Sequence, residues 1–380
     1  MAQKANSYLE KGPARHGKKP NQKMKPYIVL QYLLKYSDEN NVQSASNIVG
    51  FLEECGIDAE RRSVYRDIEE INKASWMMEN DADIFEAEEA IAADEDDAEK
   101  LIVYDKTRKG FYVRQRHFDV NDIRLLAECV YSAKFLAEGQ AKRLADVVCD
   151  FVSEKQAKEI KHDALLTDRV KTPNRAVLNN ISTINDAMSR ELEGKRHTPE
   201  KVSFHYLKYS INDMSQQVER RKGEKYTVSP YALLINDGNY YLLAFDDKYQ
   251  QMRTYRLDRM KDTQRLGKPR DGEDAFSAID LKTYTKRVFS MYGGQQEHVT
   301  IHFITPLLDA VVDRFGTDKS VIQYFKVDEK HFGIETWVEI SEQFFGWLLG
   351  FGKRARLVAS PNAVRKFQEH IEKVHEMYQS

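Results

Sequence analysis

The stretch Arg253 to Arg259 carries three arginines within seven residues, at the end of an apolar run. Arginine presents a planar fork of donors that binds phosphate or carboxylate and stacks on rings. Together with nearby aromatic side chains it favours a phosphate backbone with stacked bases over an uncharged metabolite. Alternatively, these arginines pair with Asp246, Asp247 and Asp258 and have a structural role. The candidate ligand contacts are His205, Tyr206, Ser229, Tyr231, Tyr240, Tyr241, Arg253, Arg256 and Arg259.

A second set of cations lies on one face of a predicted helix near the N-terminus. Arg62 and Arg66 fall opposite the apolar stripe of that helix. Helix stability does not explain their position, because cations in the first turns and Glu69-Glu70 near the end oppose the helix dipole. Contact with phosphates and base edges would explain it, and a solvated charged face is the alternative. The candidate DNA contacts are Arg61, Arg62, Ser63, Tyr65 and Arg66, with Lys106, Arg108 and Lys109 from a following hairpin tip.

The sequence contains none of the local motifs of nucleotide-binding loops or zinc proteases. Its ten histidines are scattered, and its three cysteines, Cys55, Cys129 and Cys149, form no CxxC pair. We therefore expect no enzyme activity, no metal and no cofactor. A Ser/His/Asp set whose members meet only in space stays open.

Length and composition describe a multidomain chain of ordinary solubility. At 380 residues, two to four domains are expected, and 31% charged residues suit a solvated surface. The net charge of −2 does not by itself indicate a nucleic-acid binder. No apolar run has the length of a membrane span, and the basic N-terminus lacks the apolar core of a secretion signal. With this cysteine usage, we expect a cytoplasmic protein.

The elements that must position the first set of cations are three short helices and a hairpin. The composition of residues 1–23 predicts a disordered basic arm. Residues 24–116 are expected to form a helix-turn-helix with a wing. Pro26 opens the first helix, Ser44 caps the second, and Asp58 is expected to cap the third. Residues 79–99, with eleven carboxylates and no Lys or Arg, interrupt this domain. They predict a solvated, mobile insertion with some helix, or alternatively an acidic flap that competes with DNA.

A helical connector is expected at residues 117–199. Its first part, from His117 to about Lys161, predicts helix almost throughout, with Asn121 as its cap and Gly139 as a break. A second helix is expected at Val177–Glu191. The apolar stripe fits a dimer interface or packing within the domain, and both interpretations stay open.

Two β-rich regions complete the chain. Residues 200–270 predict about five short strands, with a tight reversal at Asn236–Asn239, and therefore a small barrel. Residues 280–380 predict the order βαββαβα, which is typical of a ferredoxin-like antiparallel sheet.

Several motifs together resemble a known family. Ser229-Pro230-Tyr231, Gly238 to Leu242 and the Arg253–Arg259 segment resemble the WYL domain, with Tyr240 in place of its Trp. Ser63 to Ile68 is similar to the recognition helix of the winged helix-turn-helix that commonly precedes such domains. Phe345 to Gly352 resembles the C-terminal extension that often follows them.

The resemblance implies an α+β multidomain fold: an N-terminal winged helix-turn-helix, a helical connector, a small Sm-like β-barrel (the WYL domain) and a C-terminal ferredoxin-like α+β domain. It also implies a homodimeric bacterial transcriptional regulator. The partners of such a protein would be operator DNA and a single-stranded nucleic acid or nucleotide as effector. The alternative is a single-stranded nucleic-acid or RNA-binding protein with no transcriptional role.

Overall fold

The computed structural model describes residues 21–114, 118–165, 170–281, 284, 287–289, 291 and 293–379. The helices in these ranges are α1 (Lys25–Tyr36), α2 (Ala45–Glu54), α3 (Arg61–Asn80), α4 (Ile84–Ala93), α5 (Val120–Ser132), α6 (Glu138–Cys149), α7 (Glu154–Leu165), α8 (Val177–Met188), α9 (Glu273–Ser277), α10 (Leu308–Phe315), α11 (Glu342–Leu349) and α12 (Pro361–Glu376).

The strands are β1 (Ile102–Asp105), β2 (Gly110–Val113), β3 (Glu191–Leu192), β4 (Lys195–Arg196), β5 (Glu200–Ser210), β6 (Asp213–Glu219), β7 (Tyr226–Asn236), β8 (Asn239–Asp246), β9 (Gln251–Arg256), β10 (Met260–Pro269), β11 (Gln295–Ile304), β12 (Ile322–Lys326), β13 (His331–Ile340) and β14 (Ala355–Ala359). The chain divides into two compact units. The first comprises Met1–Ser132 with Ala141–Arg169, and the second comprises Ala133–Gln140 with Val170–Ser380.

In the first unit, α1, α2 and α3 pack around one apolar core together with the β1–β2 hairpin. Ser44 caps α2 as predicted, because its side chain accepts a hydrogen bond from the Asn47 backbone N–H. The buried amide of Asn72 fixes the hairpin to α3: its side chain donates to the Ile102 carbonyl (2.9 Å) and accepts from the Ile102 N–H (2.7 Å). Of the predicted basic arm 1–23, residues 1–20 lie outside the described residues.

The start of α3 differs from the sequence-based prediction. Asp58 does not cap this helix; its N-cap is Glu60, and Arg61 is its first residue. The Ser63 hydroxyl donates to the Glu60 carbonyl (2.7 Å) and accepts from the Glu60 N–H (3.3 Å), which stabilises the first turn from within. The apolar stripe of this helix predicts an end at about Ala74, but the helix continues to Asn80.

The acidic segment 79–99 contains α4, whose N-terminus Asp83 caps. Ala87 and Ile91 of α4 are buried, and Lys73 of α3 lies 3.3 Å from Glu88. The Trp76 indole N–H donates to Glu99 (3.0 Å). The expected local helix is therefore present, and the segment is anchored to the C-terminal half of α3.

The connector is not one long helix. Three helices, α5, α6 and α7, occupy residues 120–165. Asp119, and not Asn121, caps α5, because its carboxylate accepts from the backbone N–H of Asn121 (2.6 Å) and of Asp122 (3.0 Å). The first break falls between Ser132 and Glu138 and not at Gly139, which lies within the first turn of α6. The proposed start at His117 lies outside the described residues.

In the second unit, α8 packs on an antiparallel sheet with the strand order β10-β5-β7-β8-β9, and β6 pairs with β5. The reversal between β7 and β8 is the predicted tight turn, with positive φ at Asp237 (49°) and Gly238 (72°). Among the described residues β9 and β10 do not pair with each other. The sheet is therefore open, and the prediction of a closed barrel is not confirmed. The mixed α+β class, helical first and β-rich later, is confirmed.

The C-terminal part of the second unit is a four-stranded antiparallel sheet with the order β12-β13-β11-β14. Helices α10, α11 and α12 cover one face of it. Its core contains Val299, Ile301 and Phe303 of β11 together with Phe315 and Phe344 of the helices. Alternate residues of β11 and β13 therefore point to the opposite face of the sheet.

Three structural findings bear on the class of protein to which the chain belongs. Cys55, Cys129 and Cys149 are free thiols. Across the described ranges, no cluster of three or more His, Cys, Asp or Glu side chains could hold a metal ion. None of the helices within those ranges combines the length and apolarity needed to cross a membrane.

An arginine-lined cleft and the cationic face of α3

A cavity of about 1070 Å³ lies beside the edge strand β9 in the second unit. Six arginines line it: Arg220, Arg221, Arg253, Arg256, Arg259 and Arg287. Two carboxylates, Asp237 and Glu339, also line it, so the cleft carries a clear excess of positive charge. Five of the nine predicted ligand contacts lie here, namely Tyr206, Tyr241, Arg253, Arg256 and Arg259.

Arg256 is held rigidly at the wall of the cleft. Its guanidinium makes two hydrogen bonds to the buried carboxylate of Asp258, at 2.9 and 2.8 Å. Its backbone N–H donates to the Tyr206 hydroxyl (3.1 Å). Asp258 is thus the structural partner that the sequence left open as an alternative, and it orients Arg256 without removing it from the cleft.

Arg253 and Arg221 meet at the ring of Tyr249. The Arg253 guanidinium lies 3.9 Å from the ring centroid, and Arg221 lies 5.5 Å from it and 3.8 Å from that of Tyr226. The guanidinium of Arg221, assisted by Arg253, lowers the pKa of the exposed Tyr249 hydroxyl. In the described part of the chain, neither arginine has a carboxylate within ion-pair distance. Both are therefore oriented by rings and not by carboxylates.

A buried carboxylate shapes the turn that carries Tyr249. Asp246 is 2% exposed, and its side chain accepts from the N–H groups of Lys248 (2.8 Å) and Tyr249 (3.1 Å). It also accepts a hydrogen bond from the Tyr255 hydroxyl. Burial raises the pKa of Tyr255, so this hydroxyl remains a donor. The buried Asp246 carboxylate therefore stabilises the β8–β9 turn.

The strand alternation of Arg253 and Arg256 predicts opposite faces, yet both side chains reach the same cleft. They pair in regular register with Ala244 and Tyr241, without a bulge. Because β9 is an edge strand, long side chains from either face can extend around it. Arg256 is also the last residue of the strand, next to the turn Leu257–Arg259.

The other four predicted ligand residues do not line the cleft. His205 lies 3.4 Å from Asp262 on the opposite edge of the sheet, and the Tyr240 ring packs 5.1 Å from Phe135. Buried Ser229 accepts from the Asp271 N–H (2.9 Å), and the Tyr231 hydroxyl donates to the Asp271 carbonyl (2.8 Å). Burial raises the pKa of Tyr231 to about 12. These contacts stabilise the domain and leave no group directed at the cleft.

Sequence reasoning missed three of the six cleft arginines, Arg220, Arg221 and Arg287, and the ring of Tyr249 that orients two of the arginines. The consecutive Arg220-Arg221-Lys222 after β6 was a signal that could have found two of them. Tyr284, which also lines the cleft, has its pKa raised to about 12 by burial. Within the described ranges, the buried Nε of the Arg287 side chain has no hydrogen-bond partner.

In the first unit, Arg61, Arg62 and Arg66 are exposed on the N-terminal half of α3. None of them has a carboxylate within ion-pair distance in the described ranges. By contrast, Lys73, at the other end of the helix, lies within 3.5 Å of Glu69, Glu70 and Glu88. Glu69 and Glu70 of α3 and Glu88 of the acidic segment therefore neutralise Lys73, whereas Arg61, Arg62 and Arg66 stay exposed.

The remaining predicted DNA contacts differ among themselves. Tyr65 is 47% exposed, and its ring packs 5.0 Å from Phe111 of β2, so it joins α3 to the hairpin. At the hairpin tip, Lys106 and Lys109 are exposed, whereas Arg108 is bonded to Asp105 through Nε (2.7 Å). Ser63 uses its hydroxyl to cap the helix.

Comparison with known proteins identifies one part of the chain. Residues 197–265 match the model of the WYL domain family. No curated protein matches.

Among solved structures, the chain is similar to the proteasome accessory factor B/C (PafBC) of Arthrobacter aurescens, with 14% identity and a TM-score of 0.27. The match covers 99% of this chain and 52% of PafBC, so the chain spans about half of that protein's length. It is also similar to a CRISPR Cas-related protein, with 12% identity, a TM-score of 0.32 and coverage of 91% and 97%.

Proposed function

The chain carries a WYL domain at residues 197–265, and from this premise we propose that it is a ligand-responsive transcriptional regulator of a bacterial type. Its first unit would bind duplex operator DNA as a winged helix-turn-helix, with α3 in the major groove and the β1–β2 hairpin as the wing. Its second unit would bind the effector. Operators of such proteins are commonly two-fold symmetric, so we propose a homodimer.

The observation that carries this proposal is the arginine-lined cleft. Of its six arginines, only Arg256 has a carboxylate within ion-pair distance in the described residues, and Asp258 orients that one. Placing several unpaired cations around a cavity is unfavourable unless an anion binds there. A cavity of about 1070 Å³ is large enough for a nucleotide or part of a strand. We therefore propose a nucleic-acid or nucleotide effector.

The charge pattern of α3 supports duplex binding. Its unneutralised arginines are at the N-terminal half, which is the part of a recognition helix that contacts base edges. The hairpin tip adds Lys106 and Lys109. We further propose that the four-stranded C-terminal sheet, whose central strands are β13 and β11, is the ferredoxin-like extension.

The test is to map the DNA bound by the tagged chain across the genome and to titrate the recovered duplex with and without single-stranded oligonucleotide. We expect discrete sites, and an oligonucleotide that changes duplex affinity. Because coupling between two sites is reciprocal, the duplex must change oligonucleotide affinity by the same factor. Oligonucleotide binding without any discrete duplex site would favour a single-strand-binding protein with no transcriptional role.

A further inference from the structure

The face of the C-terminal sheet that its helices leave open carries pairs of rings. His298 of β11 and Trp337 of β13 are direct cross-strand partners, with ring centroids 5.2 Å apart. His302 of β11 and Phe325 of β12 lie on the same face, with centroids 6.0 Å apart. Trp337 is 49% exposed and Phe325 37% exposed. Large rings at such exposure offer stacking surfaces to a ligand.

A glycine makes the second pair possible. Gly333 lies between Phe325 and His302 in the sheet, directly opposite both. A Cβ on Gly333 would lie 2.2 Å from the Phe325 ring, so only glycine allows that ring to lie across β13 toward His302. The ring row continues to Arg356 of β14, which pairs with His302 in register.

Positive charge lies at one end of this face, and the arginine cleft adjoins the other end. At the β14 end, Lys353, Arg354 and Arg356 are exposed, and none has a carboxylate within ion-pair distance in the described part of the chain. At the other end, Gln296 and Glu339 are cross-strand partners that also line the arginine cleft. The open face is therefore continuous with the cleft. From Gln296 to His302 it spans roughly 20 Å along β11.

One carboxylate, Glu335, lies between the two ring pairs, opposite Thr300. It disfavours a phosphate at the centre of the sheet and can accept a hydrogen bond from a base amino group. The face thus presents cations at its β14 end and rings with a hydrogen-bond acceptor along it, and beyond Gln296 and Glu339 it meets the arginines of the cleft. That order suits bases on the sheet and a backbone along its edge, as on other four-stranded sheets that bind single strands.

We propose that the open face bearing His298, Trp337, His302, Phe325 and Arg356 is a single-strand nucleic-acid tract that extends the arginine cleft. Its occupant is single-stranded DNA or RNA, whose bases stack on the rings and whose phosphates reach Arg356 and the cleft. The proposal rests on the proposed function for the ligand class of the cleft. It adds that the effector has a preferred length, because only a longer strand reaches both parts.

The test compares single-stranded DNA of about 4 and about 16 nucleotides, the range of site sizes for such surfaces. The proteins are the full chain, Trp337→Ala, Trp337→Phe and the cleft variant Arg253→Ala/Arg259→Ala. Tyr378→Ala, which removes an exposed ring on the helical side, is the matched control. Affinity is measured by fluorescence anisotropy and oligomeric state by sedimentation.

For the full chain we expect the long strand to bind roughly 10-fold more tightly or better than the short one, from at least one stacked base. Trp337→Ala should remove that gain and leave short-strand affinity unchanged. Trp337→Phe, which keeps a ring, should retain most of it, and so should Tyr378→Ala. The cleft variant should weaken both lengths.

The proposed tract is overturned if the full chain and Trp337→Ala bind each strand length with equal affinity. It is also overturned if the full chain binds neither strand. A change of sedimentation in Trp337→Ala with unchanged affinities also overturns it, and assigns the face to contacts between copies. A different result contradicts the proposed function and leaves the tract intact: both strand lengths bind as expected, but neither changes the affinity for duplex DNA.

Discussion

The arginines of α3 and those of the cleft are the same residue type in two different physical settings. Arg62 and Arg66 extend from a helix into solvent, and among the residues that the structure describes no ring or carboxylate holds them. In the cleft, rings hold Arg221 and Arg253, and Asp258 holds Arg256. An unrestrained cation suits a long, regular polyanion, whereas an oriented one suits a ligand that binds in a single pose.

The same contrast appears in two tyrosines. Tyr65 of α3 and Tyr249 of the cleft have the same exposure, 47%. Desolvation beside the hairpin raises the pKa of Tyr65, whereas Arg221 lowers that of Tyr249. Equal exposure therefore does not mean an equal environment. The difference is that desolvation outweighs the nearby Arg61 at Tyr65, whereas Arg221 outweighs desolvation at Tyr249.

The largest effect should come from the unrestrained cations. Arg62→Ala/Arg66→Ala should weaken duplex binding about 100-fold at about 0.1 M salt, because two phosphate contacts and their counterions are lost. The slope of log affinity against log salt should fall by about 2. Lys73→Ala on the same helix is the control, since three carboxylates already neutralise Lys73. Unchanged binding in the double variant would place the duplex-reading surface elsewhere.

Stability of the cleft should depend on Asp246. Asp246→Ala should lower the free energy of unfolding by about 3 kcal/mol, because buried donors from Tyr255 and the turn lose their acceptor. Tyr255→Phe, which removes one donor, should cost about 1 kcal/mol. Urea unfolding measures both, with exposed Asp313→Ala as the control. If Asp246→Ala unfolds like the control, the turn is not held by this carboxylate.

The two tyrosines can be separated by titration. A phenolate next to cations is stabilised, so Tyr249 should ionise below the usual range of tyrosine, and Tyr65 above it. The test follows phenolate absorbance as the pH is raised. Tyr249→Phe should lack the earliest part of the absorbance increase, and Tyr65→Phe should lack a late part. An oligonucleotide in the cleft should raise the pKa of Tyr249, since its phosphates oppose the negative phenolate. An unaltered early phase in Tyr249→Phe would contradict the arginine contacts.

The smallest effect is expected from the acidic segment. Glu89→Gln/Glu95→Gln removes two exposed charges without touching the bonded Glu88 and Glu99. Non-specific duplex binding should tighten by no more than roughly 5-fold at low salt, and the gain should fade as salt screens the charges. Deleting residues 79–99 is a poorer experiment than the sequence suggests, because it uncovers Trp76 and the surface under Ala87. Identical affinities at every salt concentration would leave the segment without influence on DNA.

Much of the local structure was predictable because it depends on nearby residues. Ser44 caps α2 through a residue three positions away, and Asp237-Gly238 makes the β7–β8 turn with two positive φ values. The cap of α3 was missed by two residues because Ser63 satisfies the Glu60 backbone from inside the helix. The connector was misjudged because an apolar stripe continues across the break after Ser132 and does not reveal it.

The sequence by itself determined the arginine-rich strand, the charged face of α3 and the succession of strands and helices in the C-terminal region, since each follows from periodicity and turn chemistry. Only the tertiary structure decided which side chains share a site. It brought Arg220 and Arg221 from a distant turn to Arg253, and it turned Ser229 and Tyr231 toward Asp271. It also joined Gln296 and Glu339 to the cleft. Contacts between residues that are distant in sequence depend on how the sheet bends and where its edge lies. The spacing of residues along one strand does not encode either.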